Sequence, residues 1–491
     1  MSFVRQFFVY GLAGAASRLA AVVLVPLYTR TLSIADYGRL EVLLAVHALI
    51  VILAGMQIES AVARDYFDAK ADGKARTLAW AALALTVAGA AALALLLFAG
   101  WQAGWLPEGF DGQTIGLLMA MTLPAQLFGI QLVMLRFEGS SAVFAVLSFL
   151  DLALCALFSL GFIVGLGMGV AGALWGVLAG KLVSVALAWS RTFGSLPSAR
   201  PERSLLAQML GYAVPLVPAV LIGWVQNAGS RLLLAIALSL GDVAIAGIAI
   251  KVAAIYGFVV YSFRLAWEPF SMAKLDTLAE DPQVYNRALE WYVVTMFIAC
   301  GGAVLLAPYI VRVLAPPAYA PAAWLAIYFL WGQFWVGVTN VLVIGIHGAR
   351  RTSRLLPVFG YGALVNVVLL FGLAPLIGVS AAGVGFLAGS VVSALLARHY
   401  SNRHFDTRFS TRLFNWTVLA TAVFALVWHP VAVTFSGATT SPVAALALFG
   451  AGACLVAALL ALVMRQSLAP GRAGAMWSVL ADGLRRRGGA A

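Results

Sequence analysis

Stretches of about twenty apolar residues recur along the whole chain, each long enough to cross the hydrocarbon core of a bilayer as a helix. By that length criterion the spans fall near 7–28, 40–61, 78–99, 114–135, 142–164, 170–189, 210–237, 243–263, 292–314, 322–347, 355–376, 380–397, 414–435 and 443–464. The pattern predicts an all-α polytopic membrane protein with fourteen transmembrane helices. With 63% hydrophobic and only 10% charged residues over 491 positions, an ordinary water-soluble domain is excluded. The first apolar stretch is long enough to span and others follow at once, so it reads as helix 1 rather than a signal peptide.

Loop charge tests this assignment independently, because Lys and Arg collect on the cytoplasmic side of a bilayer. Twenty-four of the 31 lysines and arginines fall in alternate segments, among them Arg5, Arg64, Arg136, Arg203, Arg287, Arg350, Arg403 and Arg487. The opposite loops hold only Arg30 and Arg39, with Arg312 near a helix end. Both termini are therefore expected in the cytoplasm, with the protein in the cytoplasmic (inner) membrane. The formal charge of +12 fits loops against anionic lipid, and no nucleic-acid partner is expected.

Two short patterns repeat at similar offsets. Leu32-Ser33-Ile34-Ala35-Asp36 after helix 1 returns as Leu238-Ser239-Leu240-Gly241-Asp242 after helix 7, 206 residues on. Leu178-Ala179-Gly180-Lys181-Leu182-Val183-Ser184 in helix 6 returns in helix 12 as Leu387-Ala388-Gly389-Ser390-Val391-Val392-Ser393, 209 residues on. The chain is accordingly expected to form two parallel six-helix lobes, at 1–200 and 201–405, an accessory pair at 406–465 and a basic cytoplasmic tail at 466–491.

Ionisable groups inside spans are costly, so each needs a partner, water or a function. Four cations qualify: Arg18 in helix 1, Lys181 in helix 6, Arg231 in helix 7 and Lys251 in helix 8. Asp151 in helix 5 is read as the one carboxylate at comparable depth, which leaves three positive charges unmatched. Asp151 and Lys181 suit a structural ion pair, with ion coupling as the alternative. Arg231 lies eight residues before Ser239 and Lys251 nine after Asp242, so the hairpin of helices 7 and 8 sets both at one depth. Two cations held level in hydrocarbon need a wet cleft or a shared anion. The Pro215/Pro218 pair marks a bend near the entry of helix 7.

No extramembrane loop carries paired carboxylates, a nucleophile with its base, or clustered metal ligands, and Cys155, Cys300 and Cys454 each sit alone in an apolar run. No enzyme, metal or cofactor is expected.

The opening segment, with Pro26-Leu27-Tyr28-Thr29-Arg30-Thr31-Leu32 and Asp36-Tyr37-Gly38, resembles that of Wzx-type polysaccharide flippases. These form the polysaccharide branch of the multidrug/oligosaccharidyl-lipid/polysaccharide (MOP) exporter superfamily. Arg64-Asp65-Tyr66-Phe67, Tyr212 to Leu216 with Ser230-Arg231, and Gly348 to Thr352 continue the resemblance. It implies a MATE-like fold with a cationic cleft lined by helices 1, 2, 7 and 8. The activity implied is alternating access that carries an undecaprenyl-diphosphate-linked oligosaccharide across the membrane, with a functional link to a polysaccharide polymerase. Arg18, Arg231 and Lys251 fall on cleft helices by this analogy, and Arg30 and Arg64 join them as substrate-binding candidates. One departure is Ser230, where the family usually has an acid, so a carboxylate beside Arg231 is expected to be missing. A cation-coupled multidrug exporter or a lipid II flippase of the same superfamily are the rival readings.

Overall fold

The computed structural model describes residues 22, 24–104, 112–193, 201–273, 283–349, 351–404, 409–436 and 442–467. Among them the chain is helical throughout, with no strand. The helices are α1 (Val25–Thr31), α2 (Ile34–Gly55), α3 (Ile58–Ala71), α4 (Ala75–Gln102), α5 (Gly112–Phe137), α6 (Ser141–Leu160), α7 (Gly169–Thr192), α8 (Arg203–Ala213) and α9 (Val217–Gln226). They continue as α10 (Gly229–Ala237), α11 (Leu240–Ala273), α12 (Val284–Leu314), α13 (Ala322–Leu342), α14 (Ile344–Gly348), α15 (Leu355–Ile377), α16 (Ser380–His404), α17 (Thr411–Ser436) and α18 (Pro442–Ser467). Twelve helical segments are long and apolar enough to cross a membrane, and they coincide with the second to thirteenth expected spans. The first expected span falls mostly outside the described residues. The fourteenth corresponds to α18, a helix of 26 residues. The chain is therefore a multi-pass helical membrane protein, with fourteen spans remaining the sequence expectation.

Both repeated sequence patterns have a local physical job. In the first, Ser33 caps α2 by accepting the Asp36 backbone N–H at 3.1 Å. Ser239 does the same for α11, accepting from Asp242 N at 3.2 Å, while Asp242 Oδ2 accepts the Ser239 N–H at 3.2 Å. Each is a capping arrangement with an acid in the first turn, where the helix dipole favours negative charge. The second pattern supplies a glycine for helix contact. A Cβ on Gly180 would lie 2.5 Å from the Cys155 backbone nitrogen in α6, and one on Gly389 would lie 2.4 Å from the Gly362 carbonyl in α15. In each copy the bare glycine lets a helix close on the preceding one.

Hydrophobic length did not reveal where the backbone breaks. The second expected span stops at Gly55, and Met56 (φ 43°) and Gln57 (φ 61°) turn through the left-handed region before α3 begins. Neither is glycine, so this turn stores strain that its surroundings must hold. The seventh expected span is three helices. Pro215 lies in a 3₁₀ turn, Val214–Leu216, and a second break follows at Asn227 and Ala228. There the Asn227 amide donates to the Gly223 carbonyl and the Ser230 hydroxyl to the Asn227 carbonyl, both at 2.8 Å. The Ser230 hydroxyl thus satisfies a carbonyl that an unbroken helix would have bonded to the Arg231 N–H, which turns instead to the Ala228 carbonyl at 3.2 Å.

The chain divides into two compact units. The first comprises Met1–Ala254, Val313–Tyr319 and Leu369–Ala382, and the second Ile255–Arg312, Ala320–Val368 and Gly383–Ala491. Within the second, α13 carries fully buried Trp331 and Trp335, which meet Phe424 and Phe414 of α17 at ring distances of 5.3 and 5.1 Å. Helix α17 is thereby fixed into this aromatic core.

Candidate functional site

Helix α2 starts at its Ser33 cap, so Glu41 lies seven residues in, about 10 Å along the axis at 1.5 Å per residue. The residue is buried, 3% exposed. Oε2 is 2.9 Å from Arg231 Nε of α10, and Oε1 pairs with Lys251 Nζ of α11. The lysine also donates to the Tyr37 hydroxyl at 2.9 Å and sits 5.3 Å from that ring's centre. Tyr37, one turn before Glu41 on the same face of α2, meets Tyr319 edge-to-face at 6.0 Å. All five residues belong to the first unit.

Two glycines make the cluster possible. A Cβ on Gly38 would lie 1.8 Å from the Leu240 carbonyl oxygen, so only glycine lets the starts of α2 and α11 touch. A Cβ on Gly247, one turn before Lys251, would come within 3.2 Å of the Glu41 carboxyl carbon. The Ser239 cap turns the chain between α10 and α11 so that their cations return to the same level.

One carboxylate against two cations leaves the cluster with an excess positive charge, and its hydrogen bonding is incomplete. Arg231 Nε meets Glu41 at ion-pair distance but forms no aligned hydrogen bond, and the buried Tyr319 hydroxyl has no partner among the described residues. Burial, reinforced by the Glu41 charge, pushes the Tyr319 phenol up to about 12, so it stays a neutral donor at any ordinary pH. Buried donors are normally satisfied, and the Tyr319 hydroxyl near this carboxylate is one that another acceptor would satisfy.

The charge tally read from the sequence is thereby corrected. Glu41 is a second carboxylate at depth, and it supplies the acid expected to be missing beside Arg231 because of Ser230. It escaped notice because apolar length alone starts the span at residue 40, which leaves residue 41 at the membrane surface. The Ser-x-x-Asp cap was the available signal, since it starts the helix at Ile34.

The remaining candidates lie apart from this cluster. Lys181 pairs with Asp151 at 2.6 Å across α7 and α6 and faces the Phe128 ring at 4.7 Å. Asp151 Oδ1 is buried without a partner. Arg30 is exposed and donates to the Val313 carbonyl at 3.1 Å. Arg64, half exposed, is 3.6 Å from Asp65 and lies over the Tyr212 ring at 4.4 Å. Neither arginine reaches Glu41 in any contact of the structure. Arg18 lies outside the described residues. Among those residues no group of three His, Cys, Asp or Glu could hold a metal.

A lipid II flippase, MurJ, in an inward closed conformation superposes with a TM-score of 0.63 at 12% identity, covering 93% of this chain and 99% of its own. An inward-facing MATE multidrug resistance transporter of the MOP superfamily gives 0.60 at 15% identity, covering 79% and 94%. A Vibrio cholerae MATE transporter gives 0.56 at 14%, covering 81% and 96%. At these identities the likeness is one of fold alone. No curated protein matches the sequence significantly. The family model described as polysaccharide biosynthesis protein matches residues 3–274, the stretch that contains Glu41, Arg231 and Lys251, so the chain belongs to the polysaccharide biosynthesis protein family.

Proposed function

We propose that this protein is a flippase that moves a polyprenyl-diphosphate-linked oligosaccharide across the cytoplasmic membrane for cell-surface polysaccharide synthesis. The observation that carries the reading is the cluster of Arg231, Lys251 and Glu41, with its surplus cation and the unsatisfied Tyr319 hydroxyl beside it. Two cations on one carboxylate favour an anionic cargo. A multidrug exporter for cationic drugs needs the reverse ratio.

In this reading Glu41 keeps the empty site folded by holding both cations, and the diphosphate takes over part of that task. Arginine presents a planar fork of donors that matches phosphate oxygens two at a time, whereas Lys251 acts as a point charge. The Tyr319 hydroxyl donates to a third oxygen. Arg18, in the first expected span, adds a further cation, and the oligosaccharide occupies the aqueous side of the site. Alternating access carries the bound head across, and no covalent chemistry is involved.

The test is flipping of a fluorescent polyprenyl-diphosphate oligosaccharide in proteoliposomes. Arg231→Gln is expected to abolish flipping while Arg64→Gln leaves it unchanged. Full activity of Arg231→Gln, in protein shown to be folded, would sink the proposal.

A further inference from the structure

A cavity of about 630 Å³ opens in the first unit where the early turns of α2, α5 and α7 meet. Arg39 and Leu43 line it one turn apart on α2, Gln113 and Leu117 do the same on α5, and Leu174 adjoins Trp175 on α7. Leu43, Leu117 and Leu174 are buried and form the floor, while Arg39, Gln113 and Trp175 are exposed at the rim. Room is left between the helices because α5 turns Gly112, Gly116 and Ala120 to the cavity, one per turn. A Cβ on Gly116 would meet nothing within 4 Å.

Helix length sets the level of this cavity in the membrane. The three helices run for 22, 26 and 24 residues. That is about 33 to 39 Å, so each crosses a hydrocarbon core of about 30 Å with its ends at the headgroups. The leucine floor lies five to nine residues from the helix starts, about 8 to 14 Å in. Arg39 leaves α2 at about 8 Å, and a long side chain on a helix points back toward its start, which carries the guanidinium to headgroup level. The loop-charge bias assigns these helix starts to the outer face, where Arg30 and Arg39 are the cations of the loops. Arg30 is accounted for by the Val313 carbonyl. Arg39 stands instead at the mouth of the cavity.

We propose that this cavity binds one anionic glycerophospholipid of the outer leaflet, with its phosphate on Arg39 and an acyl chain over the leucine floor. The site shares no residue with the Arg231 cluster and stands independently of the cargo. Charge and layering select the occupant. A free phosphate would use the cation and leave the apolar floor wet, and a zwitterionic lipid would cover the floor but bring its own cation to the arginine. An anionic lipid satisfies both, and an indole at the rim is the side chain that the membrane interface favours.

The experiment uses the full-length protein in phosphatidylcholine nanodiscs with two photoreactive probes, phosphatidylglycerol and phosphatidylcholine, each carrying a diazirine on an acyl chain. In wild type the phosphatidylglycerol probe is expected to label the early turns of α2, α5 and α7 about fivefold more than the phosphatidylcholine probe, the preference that one cation at a membrane surface gives an anionic lipid. Arg39→Gln should lower its labelling to the phosphatidylcholine level, and Arg39→Lys should keep most of the preference. Gly116→Leu should remove labelling by both probes at the cavity. Its side chain enters open space and it replaces a helical glycine, so its unfolding midpoint should be no lower than that of wild type. Excess inorganic phosphate should leave the labelling intact. Equal labelling by the two probes in wild type, or a preference that survives Arg39→Gln, overturns the proposal. Displacement by inorganic phosphate would make this a site for the free anion, and displacement by an equimolar long-chain polyprenyl diphosphate would make it a site for the cargo; either result overturns the phospholipid assignment while leaving the Arg231 cluster untouched.

Discussion

Replacing Glu41 by glutamine removes the one opposite charge that Arg231 and Lys251 share among the described residues, and the consequence can be worked from the geometry. Both cations are within contact of the same carboxyl group, so they are roughly 5 Å from each other. At that distance, with an effective dielectric constant near 20, their repulsion is about 3 kcal/mol. Glutamine cannot replace the carboxylate, because its amide has one accepting end and one donating end. However it turns, one cation faces an N–H₂ group. Breaking a buried ion pair by removing one partner costs about 3–5 kcal/mol, a large part of a typical stability of about 5–15 kcal/mol. Glu41→Gln is therefore expected to destabilise the protein by about that amount. Adding Lys251→Met to it should restore about 2–3 kcal/mol, since Arg231 then has no neighbour of like charge. The assay is a double-mutant cycle on unfolding in detergent micelles, followed by tryptophan fluorescence. A coupling below about 0.5 kcal/mol, the level at which independent sites already add, would refute the shared-carboxylate reasoning.

Three further outcomes follow from the same contacts. Gly38→Ala should destabilise the protein by about 1–3 kcal/mol or more, because its methyl meets the Leu240 carbonyl at 1.8 Å and must part α2 from α11; unfolding in micelles checks this, and an alanine variant as stable as wild type would show the contact to be soft. Asp151→Asn should cost about 3–5 kcal/mol by stranding Lys181, and Lys181→Met in the same protein should recover most of it, the measurement again being a double-mutant cycle. Ser239→Ala should cost about 1 kcal/mol through loss of the α11 cap, with hydrogen exchange fastest in the first turn of α11.

The spans were legible because their signal is length, and apolar length is what a bilayer demands. Backbone breaks inside apolar sequence give no such signal. Met56 and Gln57 turn left-handed with neither residue a glycine or proline, and the second break of the seventh span falls at Asn227 and Ala228, clear of both prolines. Asn227 and Ser230 bond to the backbone of their own broken helix, a role that their positions in the sequence do not announce. In a chain where most side chains are apolar, periodicity cannot separate a continuous helix from two short ones laid end to end.

The candidate site shows the same division between what a residue is and where its helix begins. Arg231 and Lys251 could be set at one depth by counting along the hairpin, and the structure brings both onto one carboxylate. Glu41 could not be found by that counting, because moving the start of α2 from residue 40 to Ile34 changes a surface acid into a buried one. The two copies of the Leu-Ser-x-x-Asp pattern held the needed information. Each is a helix start, and a helix start fixes the depth of every residue that follows it. Applied to α11, the same rule puts Lys251 eleven residues below Leu240, against seven from Ile34 to Glu41 in α2. Those counts differ by four residues, about 6 Å, which the lysine's long side chain spans by reaching back toward its own N-terminus. Lysine meets that reach as a point charge on a flexible stem, and arginine on the short, broken α10 needs none of it. The two cations therefore hold Glu41 in different ways, and the stiffer arginine fork is the one preorganised to exchange carboxylate for phosphate.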